Sequence, residues 1–464
     1  MRTALAGLLV LGLAATAHAN GRDPYTSTIN FQRGNDQHII AGMTFGAVTS
    51  SDGGATWNWM CERAIGYGGQ YDPDYVYSST GAIFATTFDG LKVMRNEGSL
   101  GHGCGFTSTP PGMTFVSKTE GGPDGAIYYA AADMADAKIY KSTDDGMTFP
   151  TSANPGQPGD WWSSLAVAPS NAQRVYVTGY RLDGMNPKVF LLYTSTNGGT
   201  SYTAMNMTGI TPVSANSTIE VVGISPTTDT TLYVKVTFEN GSSGDSLYRS
   251  TNAGQSWTKI LSKNSNFGLA FVVRKDGTTC VAGTRELGSW SSTNCSTAAT
   301  PTWTLLTNAP HIGCLYNDSA GNVWACTQNY ASPQLNLPSD GFGIMKTNDL
   351  TNWTGVLKYQ DIKAPVACPG GTVQEDQCVQ KYMDQQSAWC CLVPQLGITS
   401  TAIDCNGALA CFGNTVDGAP DAGTNLHPPD PTPCCGTSDA RSSALLSLFV
   451  TAVLLLRRRR PKEP

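Results

Sequence analysis

Apolar and polar residues alternate in short runs along most of this chain, and glycine, asparagine, aspartate and proline separate the runs. Residues 218–261 show the pattern: the runs TIEVVGIS, LYVKVTF, SLYRS and SWTKI are divided by PTTDT, by ENGSSGD and by a Gly- and Asn-containing turn. Alternation with a period of two predicts β-strands, and the residues between the runs predict turns. This stretch therefore predicts four strands in sequence order.

The turn before the fourth strand carries a motif that recurs along the chain. Its clear copies are SSDGGATW at 50–57, STDDGMTF at 142–149, STNGGTSY at 195–202 and STNAGQSW at 250–257, and weaker copies lie at 95–98, 291–295 and 346–353. The copies are roughly 42 to 55 residues apart, which is the period of a propeller blade.

The spacing predicts an all-β, seven-bladed β-propeller of four-stranded blades over residues 20–358. Six or eight blades are the alternatives, because the second and sixth copies are weak. No strand is predicted to be exchanged between the chain ends to close the ring. The predicted blades cover 26–60, 75–108, 113–150, 163–205, 218–261, 267–306 and 311–357.

The motif resembles the Asp-box (BNR) repeat, S-x-D-x-G-x-x-W, of sialidases and sortilin-type receptors, and the resemblance covers roughly residues 25–358. In that family the box is a fold-stabilising turn away from the ligand. Asp or Asn is expected to accept backbone N–H bonds, glycine to supply positive φ, and the aromatic residue to pack under the next blade. The matching structural residues are Asp52, Gly54, Trp57, Asp144, Gly146, Phe149, Asn197, Gly199, Tyr202, Asn252, Gly254 and Trp257.

The position of the motif predicts which side of the disc binds a ligand. Turns between first and second strands, and between third and fourth strands, share one face, which we call the turn face. Loops between blades, and loops between second and third strands, share the other, which we call the interblade face. Ligand contacts are predicted on the interblade face. The candidate ligand-binding residues are Trp161, Trp162, Tyr180, Arg181, Asp183, Arg285, Glu286 and Tyr330.

Trp161 and Trp162 are adjacent in one of these loops. Exposed tryptophan is costly unless it stacks on something, and sugar rings and protein surfaces are both suitable partners. The alternative is that one of the two fills the seam between two blades.

No catalytic residue is identified by the sequence. The Arg-Ile-Pro motif of sialidases is absent. Arg63, Arg181 and Arg285 could together bind a substrate carboxylate, but nothing in their spacing singles them out. A glycoside hydrolase with a carboxylate pair stays open as an alternative. Its candidates are Asp72, Asp74, Asp160, Asp183, Glu239 and Glu286.

The 14 cysteines are expected to form disulfides, since the chain begins with a predicted signal peptide. Cys280–Cys295 and Cys314–Cys326 are predicted as local pairs, and Cys61–Cys104 as a third. Six more cysteines in residues 359–413 predict a small disulfide-rich module, with zinc as the less favoured reading. No cofactor or metal site is predicted.

The two termini predict export and surface display. Residues 1–19 read as a signal peptide, and residues 414–433 as a disordered Pro-rich linker. Residues 434–464 resemble the myxobacterial C-terminal sorting signal (MYXO-CTERM), with a Cys motif, a short transmembrane run and an arginine cluster. The resemblance implies a processing protease and an outer surface location; an inner-membrane tail anchor is the alternative. The sorting residues are Cys434, Cys435, Arg457, Arg458, Arg459 and Arg460.

These features predict a non-catalytic surface protein whose propeller binds a glycan or a protein partner. A surface glycoside hydrolase and a structural envelope protein are the alternatives. The net charge of −6 provides no basic surface for nucleic acid.

Overall fold

The chain folds into seven β-sheets that follow one another along the sequence, as seen in a computed structural model. The structure describes residues 23–67, 71–96, 102–109, 115–132, 136–182, 188–210, 216–239, 244–380, 387–400, 402–403 and 405. Each sheet contains four antiparallel strands in sequence order, and the first has a fifth strand from the C-terminal region. The predicted seven-bladed propeller is confirmed.

The first four blades end near residue 204. Their strands are β1 Thr26–Gln32, β2 Asn35–Met43, β3 Gly46–Ser50 and β4 Asn58–Met60; β5 Tyr75–Tyr77, β6 Ile83–Thr87, β7 Gly90–Met94 and β8 Thr107–Ser108; β9 Phe115–Gly121, β10 Ile127–Ala132, β11 Ala137–Ser142 and β12 Thr151–Ala153; β13 Asp160–Val167, β14 Val175–Arg181, β15 Val189–Ser195 and β16 Thr203–Ala204.

The last three blades complete the ring. Their strands are β17 Ile219–Ile224, β18 Leu232–Thr237, β19 Asp245–Ser250 and β20 Thr258–Lys263; β21 Ala270–Val273, β22 Cys280–Gly283, β23 Ser289–Ser292 and β24 Thr304–Leu305; β25 Cys314–Asn317, β26 Val323–Cys326, β27 Ile344–Thr347 and β28 Thr354–Leu357. The first strand of each blade contacts the first strand of the next, including β25 with β1, so these strands surround the axis.

The recurrent motif forms the same turn between the third and fourth strands in each clear copy. In the first blade the Ser50 hydroxyl accepts from Gly54 N at 2.9 Å, and Asp52 Oδ1 accepts from Thr56 N at 2.8 Å. Asn197 accepts from Ser201 N at 2.9 Å in the same way. The glycine has positive φ each time, from +71° at Gly146 to +90° at Gly54, a region that favours glycine.

The aromatic residue of the motif packs on the preceding blade, so the expectation that it packs under the next blade is wrong. Trp257 Nε1 donates to Asn206 O of the fourth blade at 2.8 Å. Trp57 of the first blade shares a buried cluster with Trp324 of the seventh. Strand order explains the direction, because the fourth strand is the outer edge of its own blade and lies over the neighbour that came before. Each motif therefore joins two blades.

The C-terminal segment returns to the first blade. Strand β29, Ala364–Pro365, pairs in parallel with β4 and adds an outer fifth strand. Before it lies the 3-10 turn Tyr359–Asp361, whose buried Tyr359 hydroxyl is 2.9 Å from Thr26 Oγ1 of β1. Among the described residues, the first and seventh blades each contain their own four strands, as predicted, and these contacts join the last blade to the first.

Few helical elements accompany the described strands. Besides the 3-10 turn Tyr359–Asp361, they are α1 Glu62–Ile65, a 3-10 turn Pro333–Leu335, a π-helical turn Gln374–Val379 and α2 Ala388–Leu396. Trp389 of α2 is buried against Trp59 of the first blade, with ring centroids 5.7 Å apart. No helix in the described ranges has the length and apolarity needed to span a membrane. The predicted signal peptide, linker and sorting residues lie outside those ranges.

Two disulfides cross from the C-terminal segment to the propeller. The local pairs Cys280–Cys295 and Cys314–Cys326 are confirmed. The predicted Cys61–Cys104 pair is wrong: Cys61 bonds Cys378 and Cys104 bonds Cys368. The fold explains this, because the returning segment lies along the outer edges of the first two blades. The predicted boundary near residue 359 stays a prediction, but the segment beyond it is linked covalently to the disc.

Removing one crossing disulfide should destabilise the whole propeller. In Cys61→Ala/Cys378→Ala the free energy of unfolding should fall by about 3 to 5 kcal/mol, because that bond closes a very long loop. Urea unfolding measures the change. The control Cys280→Ala/Cys295→Ala opens a loop with a sequence separation of only 15 and should lose less. A Cys61–Cys104 peptide in a non-reducing digest would contradict the assignment.

The recurrent turns should make the propeller acid-sensitive. Hydrogen bonds from Ser142 and Thr148 lower the pKa of Asp144 from 3.8 to about 2, and similar bonds lower the pKa of Asp52 and Asp349. Because the folded-state pKa is lowered, this stabilisation is present above pH 3.8 and is lost as the pH falls toward 2.

The melting temperature measured against pH tests this. It should fall between pH 4 and pH 2 in the wild type, and the fall should be smaller in a triple variant with Asp52→Asn, Asp144→Asn and Asp349→Asn. Asparagine keeps the acceptor, as Asn197 and Asn252 already do in their own copies. Identical profiles for the two proteins would rule out these carboxylates as the cause.

Candidate functional site

Exposed apolar side chains concentrate on the interblade face. Of the eight large apolar residues that are exposed in the described part of the chain, five lie in or beside the loops between second and third strands. A surface of this kind is typical of an interaction site. The five residues are Phe88, Leu182, Val189, Phe238 and Leu287.

Four aromatic rings form a patch on this face, which we call the aromatic patch: Tyr71, Phe88, Phe115 and Trp161. Phe88 and Phe115 stack with centroids 5.2 Å apart, and Tyr71 lies 4.8 Å from Phe88. Trp161 extends the patch, 6.2 Å from Phe115. The rings come from the first interblade loop and from blades two, three and four, so the patch runs across neighbouring blades.

The elements under the patch fix its rings in place. The Tyr71 hydroxyl is 2.7 Å from Thr86 Oγ1 and donates to Val116 O at 3.0 Å. Phe88 occupies the two-residue turn between β6 and β7 and is 58% exposed. The patch thus presents Phe88 as an exposed ring, packed against neighbouring rings such as Tyr71, whose hydroxyl is hydrogen-bonded.

The two adjacent tryptophans have different positions. Trp161 is partly exposed and belongs to the aromatic patch, whereas Trp162 is only 3% exposed and packs in the seam between the third and fourth blades. Its side chain therefore reaches no ligand directly. Tyr180 lies opposite Trp161 in the strand register, and Lys188 Nζ is 4.1 Å from its ring centre.

Arg181 and Asp160 neutralise each other. Arg181 Nη2 donates to Asp160 Oδ2 at 2.9 Å, and Asp160 is fully buried. This pair secures the first two strands of the fourth blade beside the aromatic patch. Asp183, the third predicted residue of this loop, lies outside the described residues.

The remaining predicted ligand residues are on the interblade face of blades six and seven. Arg285 Nη2 donates to Gln328 Oε1 at 2.6 Å, and Glu286 accepts from the Ser265 hydroxyl at 3.1 Å. The Tyr330 hydroxyl donates to Leu396 O at 2.6 Å, so this residue holds the C-terminal helix α2. The predicted ligand-binding residues therefore lie in two separate regions, one on blade four and one on blade six, and Tyr330 serves instead as a structural contact to α2.

The predicted carboxylates are held by neighbouring donors. Burial would raise the pKa of Glu239, but hydrogen bonds from Lys259, Ser246 and Tyr248 outweigh it and lower the pKa. Asp74 Oδ2 is 3.9 Å from Lys118 Nζ near the axis.

Another carboxylate near the axis was missed by the sequence analysis. Burial raises the pKa of Glu120 to about 8, with Asp74 adding to the effect and Lys118 opposing it. Glu120 on β9 therefore ionises less readily than an ordinary glutamate. Lys118 and Glu120 are two residues apart on a first strand, and this spacing was the signal that could have placed both side chains near the axis. The same spacing also occurs in ordinary strands, so it did not identify a site.

Phe88 and Phe115 were also missed. Phe88 lies in a two-residue turn, Phe-Asp, where a polar residue is more common. An apolar residue at such a turn on the predicted interblade face was the usable signal. The sequence did place Tyr71 in a candidate interblade loop, but not among the ligand-binding residues.

Comparison with known proteins shows that this chain is distantly similar to a xyloglucanase and to several propellers. No family model matches the chain. A xyloglucanase of Hypocrea jecorina (strain QM6a) is 25% identical over 245 residues, which are 52% of this chain and 25% of that enzyme. The chain thus spans about a quarter of the length of this curated relative.

Solved propellers are similar at lower identity. An ancestral GH74 enzyme is 15% identical with a TM-score of 0.47, covering 67% of this chain and 44% of that one. The Dos1 propeller is 13% identical with a TM-score of 0.43, covering 66% and 81%. At these identities the likeness concerns the fold alone.

Substitution of the buried Trp162 should affect stability much more than substitution of the exposed Phe88. Trp162→Ala should lower the free energy of unfolding by about 3 to 5 kcal/mol, because it empties a buried seam. Phe88→Ala should change it by no more than about 0.5 kcal/mol, because the ring is exposed. Chemical denaturation measures both. Equal effects would show that the seam does not depend on Trp162.

Proposed function

We propose that this protein is an exported, surface-displayed binding propeller that takes a glycan chain on the aromatic patch. One observation carries the proposal: Tyr71, Phe88 and Phe115 contact one another on the face that the recurrent turns leave free, Trp161 extends this group, and Phe88 is 58% exposed. Aromatic faces suit the apolar faces of sugar rings, and exposed patches of this kind mark interaction sites.

The turn face and the termini support the same proposal. The recurrent turns are proposed to be Asp boxes, which in their family stabilise the fold away from the ligand. Display on the outer surface rests on the predicted signal peptide and the predicted C-terminal sorting signal with its processing protease. The xyloglucanase likeness favours a β-linked glucan chain among the glycans.

A glycoside hydrolase is the second candidate. The raised pKa of Glu120 favours it, since such enzymes use a carboxyl group with a raised pKa as their general acid. Non-catalytic binding is the stronger proposal, because Asp160, Glu239 and Glu286 each accept hydrogen bonds or ion pairs from neighbours.

Binding of cellohexaose and of xyloglucan oligosaccharides to the full-length protein tests the proposal. Titration calorimetry should show saturable binding of at least one of them, and Trp161→Ala or Phe88→Ala should weaken it about tenfold, the equivalent of about 1.4 kcal/mol. The matched control is Met147→Ala, which removes a side chain that is 63% exposed on the turn face and should leave affinity unchanged.

Reducing ends are measured in the same samples. Release of sugar by the wild type that is lost in Glu120→Gln would favour the hydrolase over the binding protein. Binding that survives both patch variants would place the glycan elsewhere. No binding to any glycan would contradict the proposal and favour a protein partner for the apolar residues of the interblade face.

A further inference from the structure

Arg285 differs from Arg181, another arginine of the carboxylate clamp that the sequence analysis considered. Arg181 is neutralised by Asp160. Among the described residues, no carboxylate lies within salt-bridge distance of the Arg285 guanidinium, and its Nε has no hydrogen-bond partner. An arginine without a carboxylate partner, on a face that is proposed to bind a ligand, retains the capacity to bind an anion.

The guanidinium is held in a fixed position by rings and by an amide. Its carbon lies 4.3 Å from the ring centre of Tyr25 and 5.1 Å from that of Phe267. One of its amino groups donates to Gln328 Oε1. Stacking and a single hydrogen bond orient the planar cation without neutralising its charge.

A histidine completes this region through the same network. His311 Nδ1 is 2.8 Å from Asp340 Oδ1, and Asp340 Oδ2 also accepts from Gln328 N at 2.8 Å. Asp340 therefore fixes the Nδ1–H tautomer, which leaves Nε2 as an acceptor for a hydroxyl group. Ile312 N donates to Thr284 O at 3.1 Å, so the His311 and Arg285 loops are directly bonded.

The supporting ring under Arg285 is itself fixed by the backbone. A Cβ at Gly313 would lie 1.4 Å from the Tyr25 hydroxyl, so only glycine lets Tyr25 occupy this place. Tyr25 precedes β1, while Arg285 follows β22. The site is therefore assembled from the first, sixth and seventh blades, across the face from the aromatic patch.

We propose that Arg285 and His311 form a subsite for an acidic sugar, in which Arg285 pairs with the carboxylate of a uronate residue and His311 accepts a ring hydroxyl. This inference rests on the proposed glycan function and deepens it. On the interblade face, the aromatic patch of blades two to four would take neutral sugar rings, and the subsite beside blade six would take the acidic residue.

Two matched hexamers test the subsite on the full-length protein. Cellohexaose and its C6-oxidised form, cellohexauronate, differ only in their carboxylates, and cellohexaose 6-sulfate supplies the other common anion. The wild type should bind cellohexauronate at least about tenfold more tightly than cellohexaose, as expected for one added charge-assisted pair. Titration calorimetry at low salt gives all three affinities.

The variants assign the preference to one side chain. Arg285→Gln should abolish the preference for the acid and leave cellohexaose binding intact, which also shows that the variant is folded. Arg285→Lys should keep part of the preference, because charge remains without the planar fork. Arg33→Gln is the control, since Arg33 is exposed on the turn face. It should behave as the wild type.

The outcomes separate this inference from the function on which it rests. Cellohexaose binding with no preference for the acid, or a preference that survives Arg285→Gln, overturns the subsite and leaves the binding function standing. Tight binding of the sulfate alone overturns the assignment to a uronate. Failure of every hexamer to bind overturns the glycan function and the subsite together.

Discussion

Closure of the ring between the first and last blades is the constraint on which the rest of the structure depends. Each clear copy of the motif packs its aromatic residue on the blade before it, and in this way the first blade packs on the seventh. Phe31 and Trp324 meet edge to face across this seam at 5.1 Å, and Tyr359 reaches Thr26 beneath it. Strand β29 and the two crossing disulfides then hold the C-terminal segment against blades one and two.

In this mode of closure, the contacts that stabilise the ring and the residues proposed to bind a ligand lie on different faces of the disc. The turns that join consecutive blades, with their buried serine and glycine contacts, occupy the turn face. The interblade face carries loops whose exposed side chains are not needed to join blades, and loops on a rigid scaffold are where binding residues are commonly found. The aromatic patch and Arg285 both lie there, on opposite parts of the disc.

Part of the electrostatics near the axis is also a result of ring closure. Glu220 and Lys235 pair at 3.2 Å; burial would raise the pKa of Glu220, but Lys235 and Lys118 lower it. Glu120 and Asp74 approach each other from neighbouring blades, and burial together with the charge of Asp74 raises the pKa of Glu120. Glu220 and Lys235 face each other within one hairpin, but Lys118 approaches Glu220, and Asp74 approaches Glu120, from a different blade. Only these approaches between blades depend on closure of the ring.

The sequence by itself determined the features that are local to one hairpin: the strands, the recurrent turn, the blade count and the disulfides Cys280–Cys295 and Cys314–Cys326. These follow from period-two alternation and from residues that face each other across one tight turn. Tertiary structure alone decided which side chains meet across blade seams and across the face. It buried Trp162 and left Trp161 partly exposed, paired Cys61 with Cys378, and neutralised Arg181 while leaving Arg285 without a carboxylate. Such contacts join residues from separate blades, and their distances are set by closure of the ring, which no local pattern encodes.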